Sequence, residues 1–379
     1  MRHLGRKSPY LTPKMNSPLF TSCRNYSPIG YKLTVNLQNT IGLLFYAVVP
    51  VAFFKSSQFL MDSSKPKVIH EVVPYLRVYE DGTIERLLGT EVTPAAFDPQ
   101  TGVVSTDVVV VPETGVSARL YRPKLTPNNQ KLPLVVYFHG GAFCISSAAD
   151  PKYHHCLNTL VATANVIAVS VNYRRAPEHP LPAAYDDSWA VLQWVASHSA
   201  GGEGSEAWVR DDVDFERVFL VGDSAGANIV HHLALRIVGS RSAQRMKLVG
   251  IVSIHPYFWG EDQIGSEAKD PVRKAMVDKW WQLVCPSGRG NDDPLINPFV
   301  DGAPSFKDLG CDKVLVCVAE RDILRDRGRL YYETLVKSGW GGTAEIVETE
   351  GEDHVFHIFQ ADSDKARSLV RSVASFINH

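Results

Sequence analysis

Residues 216–238, ERVFLVGDSAGANIVHHLALRIV, constrain the fold of this chain more than any other stretch. The apolar residues 218–221 read as a buried strand, and a helical pattern begins shortly after them. Between the two, Gly222-Asp223-Ser224-Ala225-Gly226 matches G-x-S-x-G, the nucleophile elbow. Glycine at 222 and 226 removes Cβ atoms where the strand and helix backbones must nearly touch. That crowding strains Ser224 and lifts its hydroxyl clear of the sheet. The following helix aims its unsatisfied N-terminal N–H groups at the same point, which favours negative charge there.

The rest of the chain supplies a sheet for this turn to stand on. Continuous apolar runs at 132–138, 166–171, 248–255 and 314–319 are typical of strands covered on both faces, and 344–349 adds a last strand. Helical patterns at 184–197, 272–284 and 369–377 are interspersed with them. Strands alternating with helices predict an α/β fold with a mostly parallel sheet between helical layers. A short amphipathic piece at 68–73 ends at Pro74, and two antiparallel pairs follow. They are 76–80 with 83–87 around Asp81-Gly82, and 103–111 with 116–121. Residues 259–309 contain no buried strand but carry Trp280 and Trp281. An insertion of that size over the carboxyl edge of the sheet predicts a lid or substrate wall.

Composition narrows the class. The 379 residues, 45% hydrophobic and 21% charged, describe an ordinary soluble globule built on one core with insertions. A net charge of -2 gives no reason to expect a nucleic-acid partner. The cysteines Cys23, Cys144, Cys156, Cys285, Cys311 and Cys317 form no C-x-x-C pair and read as buried free thiols, which suits the cytoplasm. His154, His155, His231, His232 and His255 have no metal-ligand spacing, and neither G-x-G-x-x-G nor G-x-x-x-x-G-K-[ST] occurs. No metal and no cofactor are expected.

Residues 1–60 stand apart from the remainder. They contain no Asp or Glu, but carry Arg2, Arg6, Lys7, Lys14, Arg24, Lys32 and Lys55 among many Ser and Thr. Their apolar run, 41–54, is shorter than the roughly 20 residues a membrane-spanning helix needs, and Pro50 interrupts it. Met61 opens a stretch that reads like a natural N-terminus. The expected division is a basic extension over 1–60 and a folded domain over 61–379. The extension is dispensable, a plastid transit peptide that would redirect the protein from the cytoplasm, or a membrane anchor.

Three further pieces fall at strand ends, where doubly wound sheets put their chemistry. His139-Gly140-Gly141-Ala142-Phe143 follows the strand at 132–138, and its adjacent glycines can turn N–H groups into a cavity. The N–H groups of Gly140 and Gly141, with that of Ala225, are the expected oxyanion hole. Asp322 lies just past the strand at 314–319, where a carboxylate can hold a histidine Nδ1–H. Asp326 and Glu320 are its rivals. His354 follows the last strand on a Gly-containing loop, with His357 as its rival. Ser224, Asp322 and His354 thus occur in the nucleophile, acid, base order of α/β-hydrolases.

HGGAF at 139–143, VNYRRAPEHPLPAAYDD at 171–187, GDSAGAN at 222–228, HPYFWG at 255–260 and GEDHVFH at 351–357 together resemble the plant carboxylesterases of the hormone-sensitive-lipase-like group. The resemblance runs from about Met61 to the C-terminus. It implies an α/β-hydrolase fold with a small cap built from 61–100 and 260–309. It also implies a carboxylesterase acting on small esters through Ser224, Asp322 and His354. One departure is Ala142, which replaces the third glycine of the family's His-Gly-Gly-Gly. Hydroxyisoflavanone dehydratases and tuliposide-converting transacylases look similar along the whole chain, so elimination or acyl transfer is the alternative. The gibberellin receptor resembles the same fold without the catalytic histidine, which this chain keeps as His354.

Overall fold

The computed structural model describes residues 66–124, 130–199, 204 and 206–379. The basic stretch 1–60, with its transit-peptide and anchor readings, lies outside them, as does Cys23. In chain order the strands are β1 (Val68–Val72), β2 (Leu76–Tyr79), β3 (Ile84–Arg86), β4 (Val104–Val111), β5 (Val116–Arg122), β6 (Leu132–Phe138), β7 (Ile167–Asn172), β8 (Val213–Asp223), β9 (Leu248–Ile254), β10 (Lys313–Ala319) and β11 (Thr343–Thr349). The helices are α1 (Pro151–Ala164), α2 (Ala183–Ala196), α3 (Ala207–Asp212), α4 (Ala225–Arg236), α5 (Pro271–Val284), α6 (Arg325–Lys337), α7 (Phe356–Phe359) and α8 (Asp364–Asn378).

Strands β1–β3 form a small antiparallel sheet, closed by the expected hairpin at Asp81-Gly82, where Gly82 takes φ 84. The main sheet has 8 strands in the order β11-β10-β9-β8-β6-β7-β5-β4. It is parallel from β11 to β7, and β5 and β4 continue it antiparallel. The chain leaves β6 for β7 on one side and returns to β8 on the other. The crevice between β6 and β8 is therefore the topological switch point, where α/β sheets bind ligands.

Period-two geometry explains why β6 reads as a continuous apolar run. Leu134, Val136 and Phe138 enter the core cluster on one face, and Val135 and Tyr137 enter the cluster on the other. Both faces are covered, so no position is left for a polar residue.

Helices α1, α3, α6 and α7 go beyond the sequence expectations. Helix α1 starts where the Asp150 carboxylate accepts the Lys152 N–H at 2.9 Å beside Pro151, and it stops at Asn165 in the left-handed region. Helix α6 packs under β10 and β11. Strand β8 is also longer than the four residues expected. The five described cysteines, Cys144, Cys156, Cys285, Cys311 and Cys317, are buried free thiols. Among the described residues, no helix is long and apolar enough to cross a membrane.

Candidate active site

The elbow geometry follows from two missing side chains. A Cβ at Gly226 would lie 1.8 Å from the Phe138 carbonyl oxygen, and one at Gly222 would lie 2.4 Å from the Gly226 carbonyl carbon. With both gone, β8 can turn straight into α4 alongside β6. Ser224 takes φ 52 and ψ -117 at that corner, a conformation a residue with a side chain rarely adopts. Backbone bonds hold it there: its N–H donates to the Ile254 carbonyl at 2.9 Å, and its carbonyl accepts from the N–H groups of Tyr257 at 3.0 Å and Asn228 at 3.2 Å.

The structure brings Ser224, His354 and Asp322 into one hydrogen-bonded line. His354 Nε2 is 2.9 Å from Ser224 Oγ, and His354 Nδ1 is 2.7 Å from Asp322 Oδ2. The other Asp322 oxygen accepts the Leu324 N–H at 2.9 Å, which fixes the carboxylate. Burial alone would raise the Asp322 pKa, but the His354 charge and hydrogen bond hold it below the usual carboxylate value. Burial likewise opposes a charge on His354, yet Asp322 outweighs it and raises the imidazole above its ordinary value. Such a base accepts a proton from the serine and keeps the resulting imidazolium paired.

The rivals are engaged elsewhere. Asp326 pairs with Arg325 and accepts the Ser266 N–H at 2.6 Å, and Glu320 accepts the Gly351 N–H at 2.6 Å. His357 is buried in α7, where its ring nitrogens meet no polar partner among the described residues. Donor atoms of His255, Asp322 and His354 lie within 4.8 Å of one another, a spacing a metal could use. Asp322 and His354 direct theirs at each other, so the cluster reads as a proton relay.

The expectation for the oxyanion hole needs one correction. The Gly140 N–H is already taken, donating to Tyr153 Oη at 2.9 Å and lying 3.2 Å from Asp223 Oδ1. No acceptor among the described residues engages the N–H groups of Gly141 or Ala142, or that of Ala225 at the start of α4. Gly141, Ala142 and Phe143 take φ values of 99, 49 and 63. Ala142 therefore occupies a strained position that glycine would adopt at no steric cost.

Several residues that hold this turn escaped the sequence reading. Asp223, the x of G-x-S-x-G, accepts from Tyr137 Oη at 2.8 Å and Tyr153 Oη at 2.7 Å. Burial pushes its pKa up to about 6 against the pull of those two hydroxyls. Tyr173 donates to the His139 carbonyl at 2.7 Å and stacks on the His139 ring at 4.2 Å. From the other side, Arg86 of β3 donates to the Cys144 carbonyl at 2.7 Å and pairs with Glu178, and Arg175 donates to the Ser146 carbonyl at 2.7 Å. A local signal was the motif at 171–187, from which Tyr173 and Arg175 reach this turn.

Comparison with known proteins points to the same fold. The profile of the alpha/beta hydrolase fold family matches residues 135–358. The chain is 56% identical to probable carboxylesterase 2 of Arabidopsis thaliana, over 84% of this chain and 99% of that protein. It is 46% identical to tuliposide A-converting enzyme 2, chloroplastic, of Tulipa gesneriana, over 82% of this chain and 79% of that protein. Among solved structures, the thermostable carboxylesterase EstE1 from a metagenomic library superposes with a TM-score of 0.60 at 28% identity, over 72% of this chain and 87% of that one. The chain belongs to the α/β-hydrolase family, in the hormone-sensitive-lipase-like group that contains the plant carboxylesterases.

Proposed function

We propose that this protein is a carboxylesterase that hydrolyses small carboxylic esters through an acyl-enzyme on Ser224. The observation that carries the reading is the line Ser224 Oγ, His354 Nε2, His354 Nδ1, Asp322 Oδ2, with links of 2.9 and 2.7 Å. Family membership and the carboxylesterase names of relatives support it.

As Ser224 Oγ attacks the ester carbonyl, its proton passes to His354 Nε2, while Asp322 keeps the ring in the Nδ1–H tautomer. The carbonyl oxygen becomes anionic and is held by the N–H groups of Gly141, Ala142 and Ala225, none of which has another acceptor among the described residues. The tetrahedral species collapses, and the alcohol departs with the proton from His354. Water then repeats the sequence on the acyl-enzyme, releasing a carboxylic acid and restoring the serine. The reaction balances with ester and water alone.

The strands β1–β3 and residues 260–309 act as a cap over the crevice. Tyr75, in the turn between β1 and β2, packs on Trp280 of α5 at 5.3 Å, and Trp281 packs on Phe143 of the oxyanion turn at 6.3 Å. The compartment is the cytoplasm unless 1–60 act as a plastid address, as the Tulipa relative's chloroplastic label suggests. A fluorescent protein fused behind residues 1–60 tests this: plastid fluorescence favours the address, diffuse fluorescence the cytoplasm.

The test of the chemistry is Ser224→Ala assayed with a short-chain aryl ester. Hydrolysis should fall by about 10⁴- to 10⁶-fold while the fold is retained. Turnover that survives the substitution would remove the serine from the reaction. Because only neutral His354 accepts a proton, the rate should rise with pH through a pKa above the usual imidazole value of about 6.5.

A further inference from the structure

The relay depends on two loops that approach from different strands, one carrying Asp322 after β10 and one carrying His354 after β11. They are tied directly by the Arg321 N–H, which donates to the Glu352 carbonyl at 2.8 Å, and by the Gly351 N–H, which donates to Glu320 at 2.6 Å. A third element reaches both. Arg273, in the first turn of α5, donates from Nη2 to Asp353 Oδ1 at 2.7 Å and from Nη1 to the Arg321 carbonyl at 3.1 Å. Those two acceptors belong to the residues immediately before His354 and Asp322. The same Asp353 oxygen accepts the backbone N–H of His354 at 2.7 Å.

Helix α5 is equally tied at its far end. Its last residue, Val284, accepts the Leu181 N–H at 2.8 Å, and Trp281 packs against Phe143 of the oxyanion turn. One helix of the insertion thus touches both acid–base loops and the loop of free N–H groups. The Asp270 carboxylate caps it, accepting the Arg273 N–H at 3.0 Å.

From this geometry we infer that Arg273 is a positioning residue: its guanidinium clasps the loops of Asp322 and His354, making the acid–base pair competent only when α5 is docked. The inference rests on the hydrolytic reading above. The clasp is also electrostatic. His354 is faced by Asp322 from the β10 loop, Asp353 from its own loop, Asp223 from the elbow, His255 from the end of β9 and His357 from α7. Burial keeps the two other imidazoles neutral, with His255 pulled down to about 3 and His357 well below its ordinary value. The cation of Arg273, with Tyr75 beside it, is then a positive charge that offsets Asp353.

Removing that cation leaves Asp353 unopposed next to His354, so the imidazole binds its proton more tightly. In Arg273→Met, kcat should fall by up to about 100-fold, as expected for misplaced reacting groups. The acid limb of the kcat–pH profile should also move to higher pH. Asp353→Asn removes the negative charge instead and should move the limb to lower pH. Arg273→Lys keeps the charge without the planar fork, so the limb should stay in place while kcat recovers only in part.

The experiment is the pH profile of short-chain aryl ester hydrolysis for the full chain and these three variants, with melting temperatures beside them and Ser224→Ala as the baseline. Opposite shifts for Arg273→Met and Asp353→Asn, at rates above that baseline, support the clasp. A lowered melting temperature with an unmoved limb in both variants would make Arg273 a helix anchor and overturn the inference. If Arg273→Met does not fold, the signs for Arg273→Lys and Asp353→Asn decide. Activity retained in Ser224→Ala would refute the hydrolytic reading itself, whatever the profiles of the other variants.

Discussion

The elbow and the turn proposed to hold the oxyanion lie side by side across the β6–β8 crevice, and both store backbone strain, but they are held in place by different means. At the elbow the strain sits on Ser224 alone, and the glycines on either side impose it by absence of bulk. At the turn, non-glycine residues Ala142, Phe143 and Ser146 carry positive φ. No local steric rule forces them there. The Cys144 and Ile145 N–H groups close the turn on the Gly141 carbonyl, and it is restrained from outside by Asp223 and Tyr153 acting on Gly140, by Arg86 on Cys144 and by Arg175 on Ser146. Strain imposed by close backbone approach is encoded within five residues. Strain imposed by hydrogen bonds is encoded across the chain.

The comparison can be broken most severely at the elbow. Gly226→Ala places a methyl 1.8 Å from a backbone oxygen in the middle of the sheet, where neither strand nor helix can yield cheaply. Loss of about 3 kcal/mol or more is expected, read as absence of soluble folded protein or a collapsed melting temperature. A well-folded Gly226→Ala variant would show that the elbow is looser than its contacts imply.

Asp223→Asn attacks the turn from outside and should be intermediate in effect. The turn loses a charged acceptor, and kcat should fall by up to about 100-fold if Gly141 and Ala142 drift. The substitution also has a stability signature whose sign follows from the pKa. In the folded protein Asp223 is raised to about 6, so it holds its proton above the pH at which the unfolded chain releases it. Stability therefore falls as pH rises from about 4 to about 6, by about 3 kcal/mol for a shift of about two units, and levels off above. In Asp223→Asn that slope should flatten in denaturant titrations. An unchanged slope would mean that Asp223 is ionised without penalty.

The smallest effect is expected at Ala142. Replacing it with glycine relieves a left-handed residue, worth about 1–2 kcal/mol, and adds unfolded-chain entropy of about 0.5–1 kcal/mol. Thermal denaturation should show a gain of no more than about 2 °C. A loss would indicate that the methyl packs usefully, and that the turn is less strained than its φ suggests.

The same contrast explains what could be read from the chain. The strands β6 to β11, the elbow and the order of Ser224, Asp322 and His354 were legible because apolar runs and the residues just beyond them are local signals. Gly140 was misassigned because glycine marks where the backbone can turn, but not which N–H is already bonded. The hydroxyl that engages it, Tyr153, lies on α1, whose Asp150-Pro151 start was a readable cap that went unread. Ala142 was hidden for the opposite reason, since its side chain argues against the conformation it adopts. Arg273 could not be found at all from spacing, because its acceptors lie 48 and 80 residues away.

Active-site titration tests the account most directly. The full chain is treated with a sub-stoichiometric to equimolar series of an organophosphate, and residual ester hydrolysis is compared with the site and extent of modification by mass spectrometry. The prediction is one adduct per chain, on the peptide containing Ser224, with activity lost in proportion and no adduct in Ser224→Ala. Full modification of Ser224 with hydrolysis undiminished would contradict the assignment of the serine as nucleophile, and with it the function proposed for the relay.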